Sequence, residues 1–284
     1  MILADLPSLR ETLEAYGLLA RKSFGQHFLL DLNITRLIAR QAGVGPVDTV
    51  IEIGPGPGGL TRALLEAGVA QVIAIEKDER FVGPLQELAH AAGGRLTVVV
   101  ADALKVDEAQ LLAMAGVSKA AIVANLPYNV ATPLLIRWLK AGPWRGAMTL
   151  MFQKEVAQRM CAAPGEAAYG RLAVLTRAAC SARMALHVPA RAFVPPPKVD
   201  SAVVQLTPLP AARRFEDTAT LEQVTQAAFG QRRKMLRVSL RALGEASALI
   251  AAAGLDPSAR PEDIPPEGFF ALASALARTR QASS

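Results

Sequence analysis

Thr49-Val50-Ile51-Glu52-Ile53-Gly54-Pro55-Gly56-Pro57-Gly58-Gly59 is the stretch whose reading decides the fold. Five residues rich in β-branched side chains read as a buried strand. A glycine-rich loop follows, and from it a helix through about Glu66. Strand, glycine loop and helix in that order open a nucleotide-binding unit. Outward from this point the alternation continues. Gln71–Glu76 predicts a second strand, with a helix from about Glu79 to Ala91 behind it. Leu96–Val100 predicts a third strand, and Ala120–Ala124 a fourth with a helix over Thr132–Lys140. Ala147–Phe152 predicts a fifth. Alternation of this kind implies an α/β fold, a doubly wound and mostly parallel sheet covered by helices on both faces. Arg183–Val188 and Ser201–Leu206 read as two more strands. No crossover helix lies between them, so they predict an antiparallel edge.

Upstream, Ser8 with Glu11 forms a capping box that opens a short helix ending near Gly17. Asp31 caps a second helix, in which Ile34, Leu37 and Ile38 share a face and Gly43 is the stop. Downstream, Pro208 and Pro210 mark a linker, and the remainder is rich in Ala and Leu at helical spacing. Two domains are expected: 1–208, a catalytic domain with an N-terminal helical extension over 1–46, and 209–284, small and all-helical.

Composition narrows the class. The chain has 284 residues, 51% hydrophobic and 20% charged, with a net charge of +6. That suits a soluble enzyme with a sizeable core. No apolar run is long enough for a membrane span, and Met1–Arg10 does not read as a secretory signal; a cytoplasmic location without membrane attachment is expected. Cys161 and Cys180 read as reduced and structural. His27, His90 and His187 lie too far apart in sequence to suggest a metal cluster, so no metal is expected. The charge is uneven: residues 137–198 carry 10 Lys/Arg against 2 Asp/Glu, while residues 47–136 carry 6 against 10. A polyanion would be drawn to the basic stretch.

In an open α/β sheet the ligand sits beyond the carboxyl ends of the strands. Polar residues fall there: Glu52 in the first strand, Glu76 ending the second, Asp102 after the third and Asn125 after the fourth. The loop itself matches both the GxGxxG dinucleotide fingerprint, through Gly54, Gly56 and Gly59, and a looser GxGxG. Pro55 and Pro57 lack the N–H groups that hold a pyrophosphate. The loop therefore suits a ligand without phosphates, such as S-adenosylmethionine (SAM). Glu76 can accept from ribose hydroxyls, and Asp102 from the cofactor's adenine amine, unless Asp102 is simply a helix cap.

Asn125-Leu126-Pro127-Tyr128 at the fourth strand end supplies the rest of the chemistry. The Asn oxygen and a nearby backbone carbonyl can accept from an exocyclic amine while Tyr128 stacks on the base. Such acceptors localise an amine lone pair that is otherwise delocalised into the purine ring, which is electrostatic and positional catalysis.

The assembled motifs resemble the KsgA-type small-subunit rRNA adenine dimethyltransferases, over roughly Arg21 to Leu243. The marks are Lys22-Ser23-Phe24-Gly25-Gln26-His27-Phe28-Leu29, Glu52-Ile53-Gly54-Pro55-Gly56, Asp102-Ala103-Leu104, Asn125-Leu126-Pro127-Tyr128 and Phe152-Gln153-Lys154-Glu155-Val156-Ala157. Later come Phe193-Val194-Pro195-Pro196-Pro197-Lys198-Val199-Asp200-Ser201 and Phe229-Gly230-Gln231-Arg232-Arg233-Lys234. The resemblance implies a Rossmann-like class I SAM-dependent methyltransferase sheet. It also implies dimethylation at N6 of two adjacent adenosines in a hairpin near the 3′ end of 16S rRNA in the 30S subunit, with a role in small-subunit biogenesis. Carried over by position, His27, Leu29, Gly54, Gly56, Glu76, Asp102 and Asn125 line the cofactor site. Asn125 also holds the target amine, Leu126 and Pro127 offer carbonyls, Tyr128 stacks on the base, and Phe193 covers its other side. His27 is a departure, because many relatives carry Asn there.

Gln231–Arg237 with Arg241 reads as a phosphate-contacting helix of the small domain, or as a solvated face. No long heptad seam is present, so a monomer is the default. Three other readings stay open on sequence alone: a 23S rRNA dimethyltransferase of the resistance type, a mainly non-catalytic ribosome assembly factor, and a nicotinamide-dependent oxidoreductase.

Overall fold

The computed structural model describes residues 3–18 and 27–282; the Lys22–Gln26 part of the first motif lies outside them. The chain forms two compact units, one of residues 1–157 with 183–207 and the other of 158–182 with 208–284.

In chain order the first unit contains α1 (Leu9–Ala15), β1 (Phe28–Leu29), α2 (Leu32–Ala42), β2 (Thr49–Ile53), α3 (Gly59–Glu66), β3 (Gln71–Glu76), α4 (Val82–Ala91), β4 (Leu96–Val100), α5 (Glu108–Met114), β5 (Ala120–Asn125), α6 (Tyr128–Leu139) and β6 (Arg145–Gln153). Helix α7 (Lys154–Cys161) leads out of it, and α8 (Arg171–Ala179) belongs to the second unit. Strand β7 (Cys180–Val188) leads back, followed by β8 (Phe193–Val194) and β9 (Ser201–Pro208). The second unit continues with α9 (Thr218–Gly230), α10 (Leu236–Ser239), α11 (Ala246–Ala252) and α12 (Pro266–Ala282).

The main sheet has seven strands in the order β4-β3-β2-β5-β6-β9-β7. Strands β2 to β6 pair in parallel, and β9 runs antiparallel to β6. The expected parallel sheet with an antiparallel strand toward one edge is therefore present. β2 and its parallel neighbours are buried on both faces, which is why they read as continuous apolar runs. The strand order reverses between β2 and β5, and this is where a ligand crevice forms in such sheets.

Both N-terminal caps form as read. Ser8 and Glu11 close a reciprocal capping box, and Asp31 accepts from Asn33 N while Gly43 takes a left-handed conformation at φ 63°. Arg62 on α3 donates to Pro7 O at 2.6 Å and so fixes α1 against the sheet's helical layer.

Three features differ from the sequence reading. Helix α6 starts at Tyr128 rather than Thr132. Thr132-Pro133 imitates a helix start, but Val130 N and Ala131 N both donate to Pro127 O at 3.1 Å, and this closes a turn further upstream. Pro133 therefore lies inside the helix. Residues 158–182 group with the second unit, whereas the sequence division at 208 left them in the first. Phe28–Leu29 and Phe193–Val194 form a separate two-stranded antiparallel ribbon, which no sequence pattern announces.

Within the second unit, Phe215 stacks on Phe270 at 5.0 Å, and Phe229 lies 5.2 Å from Phe269. Residues 231–235 are turn rather than helix, and α10 has only four residues. Arg232 is tied to Glu262 at 2.7 Å and to Ala167 O at 2.8 Å, while Arg233, Lys234, Arg237 and Arg241 are exposed. Among the described residues, no helix is long and apolar enough to cross a membrane.

The turn that positions the site depends on Gly58. Its φ is +83°, and an added Cβ would lie 2.9 Å from Leu88 Cδ2. The Gly58→Ala variant is expected to lose about 1–2 kcal/mol from the left-handed backbone alone. Thermal unfolding should show a lowered midpoint, and an unchanged midpoint would contradict the strain assignment.

Candidate active site

A cavity of about 590 Å³ opens at the carboxyl ends of β2 and β5. That volume is typical of a small-molecule site. Its floor is the glycine loop, Gly54 to Gly59. One wall is Asn125 to Tyr128, and the other is the ribbon carrying His27, Phe28, Leu29 and Phe193. Glu52, Glu76 and Phe81 also line it. The loop and the tetrapeptide approach closely, since a Cβ on Gly54 would sit 3.6 Å from Pro127 Cδ.

The amides of Gly54, Gly56 and Gly58 are already occupied. Gly54 N donates to Ile75 O at 2.9 Å, Gly56 N to Glu76 Oε2 at 3.0 Å and Gly58 N to Pro55 O at 2.9 Å. Pro55 and Pro57 have none to give. From Gly54 through Gly58 no amide is left for a pyrophosphate, which extends the argument made from the prolines alone. Glu76 is buried; its other oxygen accepts from Asp78 N at 2.8 Å. A carboxylate has about four lone-pair sites, so it retains acceptor capacity toward the cavity. Burial pushes Glu76 above the usual carboxylate range although the backbone amides pull it down.

Glu52 is 1% exposed, and its Oε2 has no hydrogen-bond partner among the described residues. Burial pushes its pKa up to about 8; the Thr61 hydroxyl opposes the shift and the Glu76 charge adds to it. A buried carboxyl with one oxygen unbonded at the cavity wall suits a polar or cationic ligand better than an anionic one.

Every predicted site residue except Asp102 lines this cavity: His27, Leu29, Gly54, Gly56, Glu76, Asn125, Leu126, Pro127, Tyr128 and Phe193. Asp102 is held elsewhere, by Lys77 Nζ at 2.8 Å and Leu104 N at 3.0 Å, and these bonds keep its pKa below the ordinary value. Strand β5 runs one residue further than expected, so Asn125 is the last strand residue and its backbone pairs with Met151. Pro127 O, offered by the sequence as an acceptor, receives Val130 N and Ala131 N. Those two donors fill the two lone pairs of a carbonyl.

His27 Nδ1 lies 2.7 Å from Pro195 O. A carbonyl only accepts, so Nδ1 carries the proton. Glu52, read from sequence as a polar group at a strand end facing the ligand, does line the cavity, whereas sequence reasoning missed Phe28, Thr35, Ile38 and Phe81. Phe28 and Phe81, edge to face at 5.6 Å, read as ordinary core positions, and nothing in their spacing points to a site. The basic stretch 137–198 is also less exposed than its charge suggests. Arg145 is 1% exposed, and Arg137 is bound to Glu108 beside Trp138.

A cavity at the sheet's switch point, floored by a glycine loop whose Gly54, Gly56 and Gly58 amides are bonded within the protein, fits a class I SAM-dependent methyltransferase, and the comparisons place the chain in that class. A dimethyladenosine transferase from Plasmodium falciparum shares the fold at TM-score 0.75 and 25% identity, over 89% of this chain and 98% of that one. The 23S rRNA methyltransferase ErmE does so at TM-score 0.64 and 28% identity, over 88% and 99%. Residues 17–278 match the family described as ribosomal RNA adenine dimethylase, and the chain belongs to that family. Among its relatives is ribosomal RNA small subunit methyltransferase A of Phenylobacterium zucineum, 64% identical over 99% of this chain and 97% of the relative. The protein of that name from Maricaulis maris is 56% identical over 97% and 96%.

The Glu52 environment has a measurable consequence. A carboxyl whose folded pKa is raised binds its proton more tightly folded than unfolded. Stability is then full below the unfolded value of 4.5 and declines as pH rises toward about 8. Glu52→Gln should remove this decline. Without ligand, the variant should gain stability over wild type by about 1 kcal/mol per pH unit across that window. Parallel stability–pH curves for the two proteins would contradict the assignment.

Proposed function

We propose that this chain dimethylates N6 of two adjacent adenosines in a hairpin near the 3′ end of 16S rRNA, acting on the 30S subunit, and that it takes part in small-subunit biogenesis. The observation that carries the proposal is the convergence of Asn125, Tyr128 and Phe193 on the cavity that also holds Gly54, Gly56 and Glu76. The small-subunit methyltransferases among the relatives above support the small-subunit target.

SAM supplies a methyl group already made electrophilic by its sulfonium. The residues of this chain bind and orient the rest. Glu76 accepts from ribose hydroxyls, Gly54 and Gly56 let the cofactor approach the backbone, and His27 and Leu29 border its other side. Asp102, whose carboxylate keeps lone pairs beyond its Lys77 and Leu104 bonds, serves the cofactor's adenine amine. Asn125 and the Leu126 carbonyl accept from the target amine; Pro127, its carbonyl engaged by the helix, sets the turn. Tyr128 and Phe193 cover the two faces of the target base. Acceptors placed at the amine favour the tetrahedral, nucleophilic nitrogen over the planar one. No nucleophilic side chain or general base is needed, and the proton leaves to solvent after transfer. Flipping the adenine from its stack costs a few kcal/mol, which contacts between rRNA phosphates and exposed basic residues such as Arg233 and Lys234 offset.

Incubation with labelled SAM and unmodified 30S or 50S particles, followed by nucleotide mapping, tests the target. Label on two neighbouring adenosines of the 30S rRNA is expected, and label confined to 50S particles would transfer the chain to the 23S-directed type. Asn125→Ala should lower turnover by two or more orders of magnitude, the scale of losing one transition-state donor or acceptor, with SAM binding by calorimetry largely kept. Near wild-type turnover in that variant would remove Asn125 from the mechanism.

A further inference from the structure

We propose that Ser201 and Asp200 are positioning residues, which hold in place the two aromatic walls of the site, Tyr128 and Phe193. The inference rests on the base-binding role given above to those two rings. Neither Ser201 nor Asp200 lines the cavity, so each can act on a substrate only through another side chain.

Tyr128 begins α6 and is half-buried, with its hydroxyl 2.8 Å from Ser201 Oγ. Ser201 is fully buried at the start of β9, in register with Gln153 of β6. The sheet therefore fixes the serine, and the serine fixes the far end of the phenol ring. A side chain held at both its backbone and its tip has little rotamer freedom left.

Phe193 is controlled from the neighbouring residue. After Val188 the chain leaves β7, passes through Phe193 and Val194, and returns to the sheet at Asp200. Asp200 closes this strap. Its Oδ1 accepts from Ala190 N at 2.9 Å, and its Oδ2 lies 3.0 Å from His187 Nε2. Its backbone carbonyl accepts from Lys154 N at 2.9 Å. One carboxylate thus joins both ends of the excursion. The His187 contact is solvent-exposed and of small energetic value, so the Ala190 amide is the bond that matters. At the tip, Phe193 is 2% exposed and pairs with Leu29, and Pro195 O meets His27. Two adjacent residues at the head of one strand consequently control both faces of the base site.

The test uses the full-length protein, steady-state methylation of unmodified 30S subunits, and SAM affinity by calorimetry. Ser201→Ala and Tyr128→Phe remove the same hydrogen bond from opposite ends. Each is expected to lower kcat about tenfold with the SAM Kd unchanged within about twofold, and the double variant to be no worse than the poorer single one, as for two changes on one interaction. Asp200→Ala should lower kcat to a similar extent. Asp200→Asn, which keeps an acceptor for the Ala190 amide, should recover most of it. The proposal is overturned if Ser201→Ala and Asp200→Ala keep wild-type kcat while Tyr128→Ala and Phe193→Ala lose it, or if the Ser201 and Tyr128 losses multiply. Wild-type turnover in both Tyr128→Ala and Phe193→Ala would instead remove the base-binding reading, and this proposal with it.

Discussion

The Glu76 carboxylate joins two strand ends. One oxygen accepts the Gly56 amide of the loop after β2 and the other accepts the Asp78 amide after β3. This arrangement fixes the path of the glycine loop and occupies the amide that a phosphate would otherwise use. It leaves a cavity whose polar lining includes the Glu52 and Glu76 carboxyls and the Asn125 side chain, with no amide free from Gly54 through Gly58. Such a surface favours a ligand that carries hydroxyls, an amine and positive charge, and it disfavours a pyrophosphate. The nicotinamide alternative is set aside by the family match over residues 17–278.

The second determinant is the β1–β8 ribbon. It brings Phe28 and Leu29 opposite Val194 and Phe193, far apart in sequence, and so adds a wall to the cavity. The rigid sheet supplies Asn125, the start of α6 supplies Tyr128, and a strap tied at its base supplies Phe193. Precision in such a site comes from what holds each group, because an error of about 1 Å in a positioned group can cost two orders of magnitude in rate. Function is concentrated in side chains on strand ends and on the loops just beyond them, as the doubly wound fold allows.

Much of this was legible in the residues. β2 and β3 match the apolar runs 49–53 and 71–76, because strands buried on both faces leave an uninterrupted signal; β4, a half-exposed edge strand, matches 96–100 through its run of β-branched residues. The caps at Ser8, Asp31 and Gly43 were legible because a cap is a local contact. Helix α5 was not: its Asp107 cap accepts from Gln110 N, but a seven-residue helix leaves too short a periodic record. The start of α6 was misread because Thr132-Pro133 imitates a helix N-terminus while the true first turn hangs on Pro127 O. Asp102 was placed correctly after its strand, but its Lys77 partner is not visible in any local pattern. Nor is the Tyr128–Ser201 bond, which spans 73 positions. The buried Arg145 shows why a count of basic residues overstates a basic surface.

The central claim is that acceptors at the end of β5 hold an adenine amine next to a SAM-derived ligand. A crystal structure of the protein with S-adenosylhomocysteine and an adenosine-bearing RNA hairpin tests it most directly. The adenine N6 is expected within hydrogen-bonding distance of Asn125 Oδ1 and Leu126 O, with its ring between Tyr128 and Phe193. An adenine bound with N6 away from Asn125, or a nucleobase excluded from the cavity while the cofactor product is in place, would contradict it.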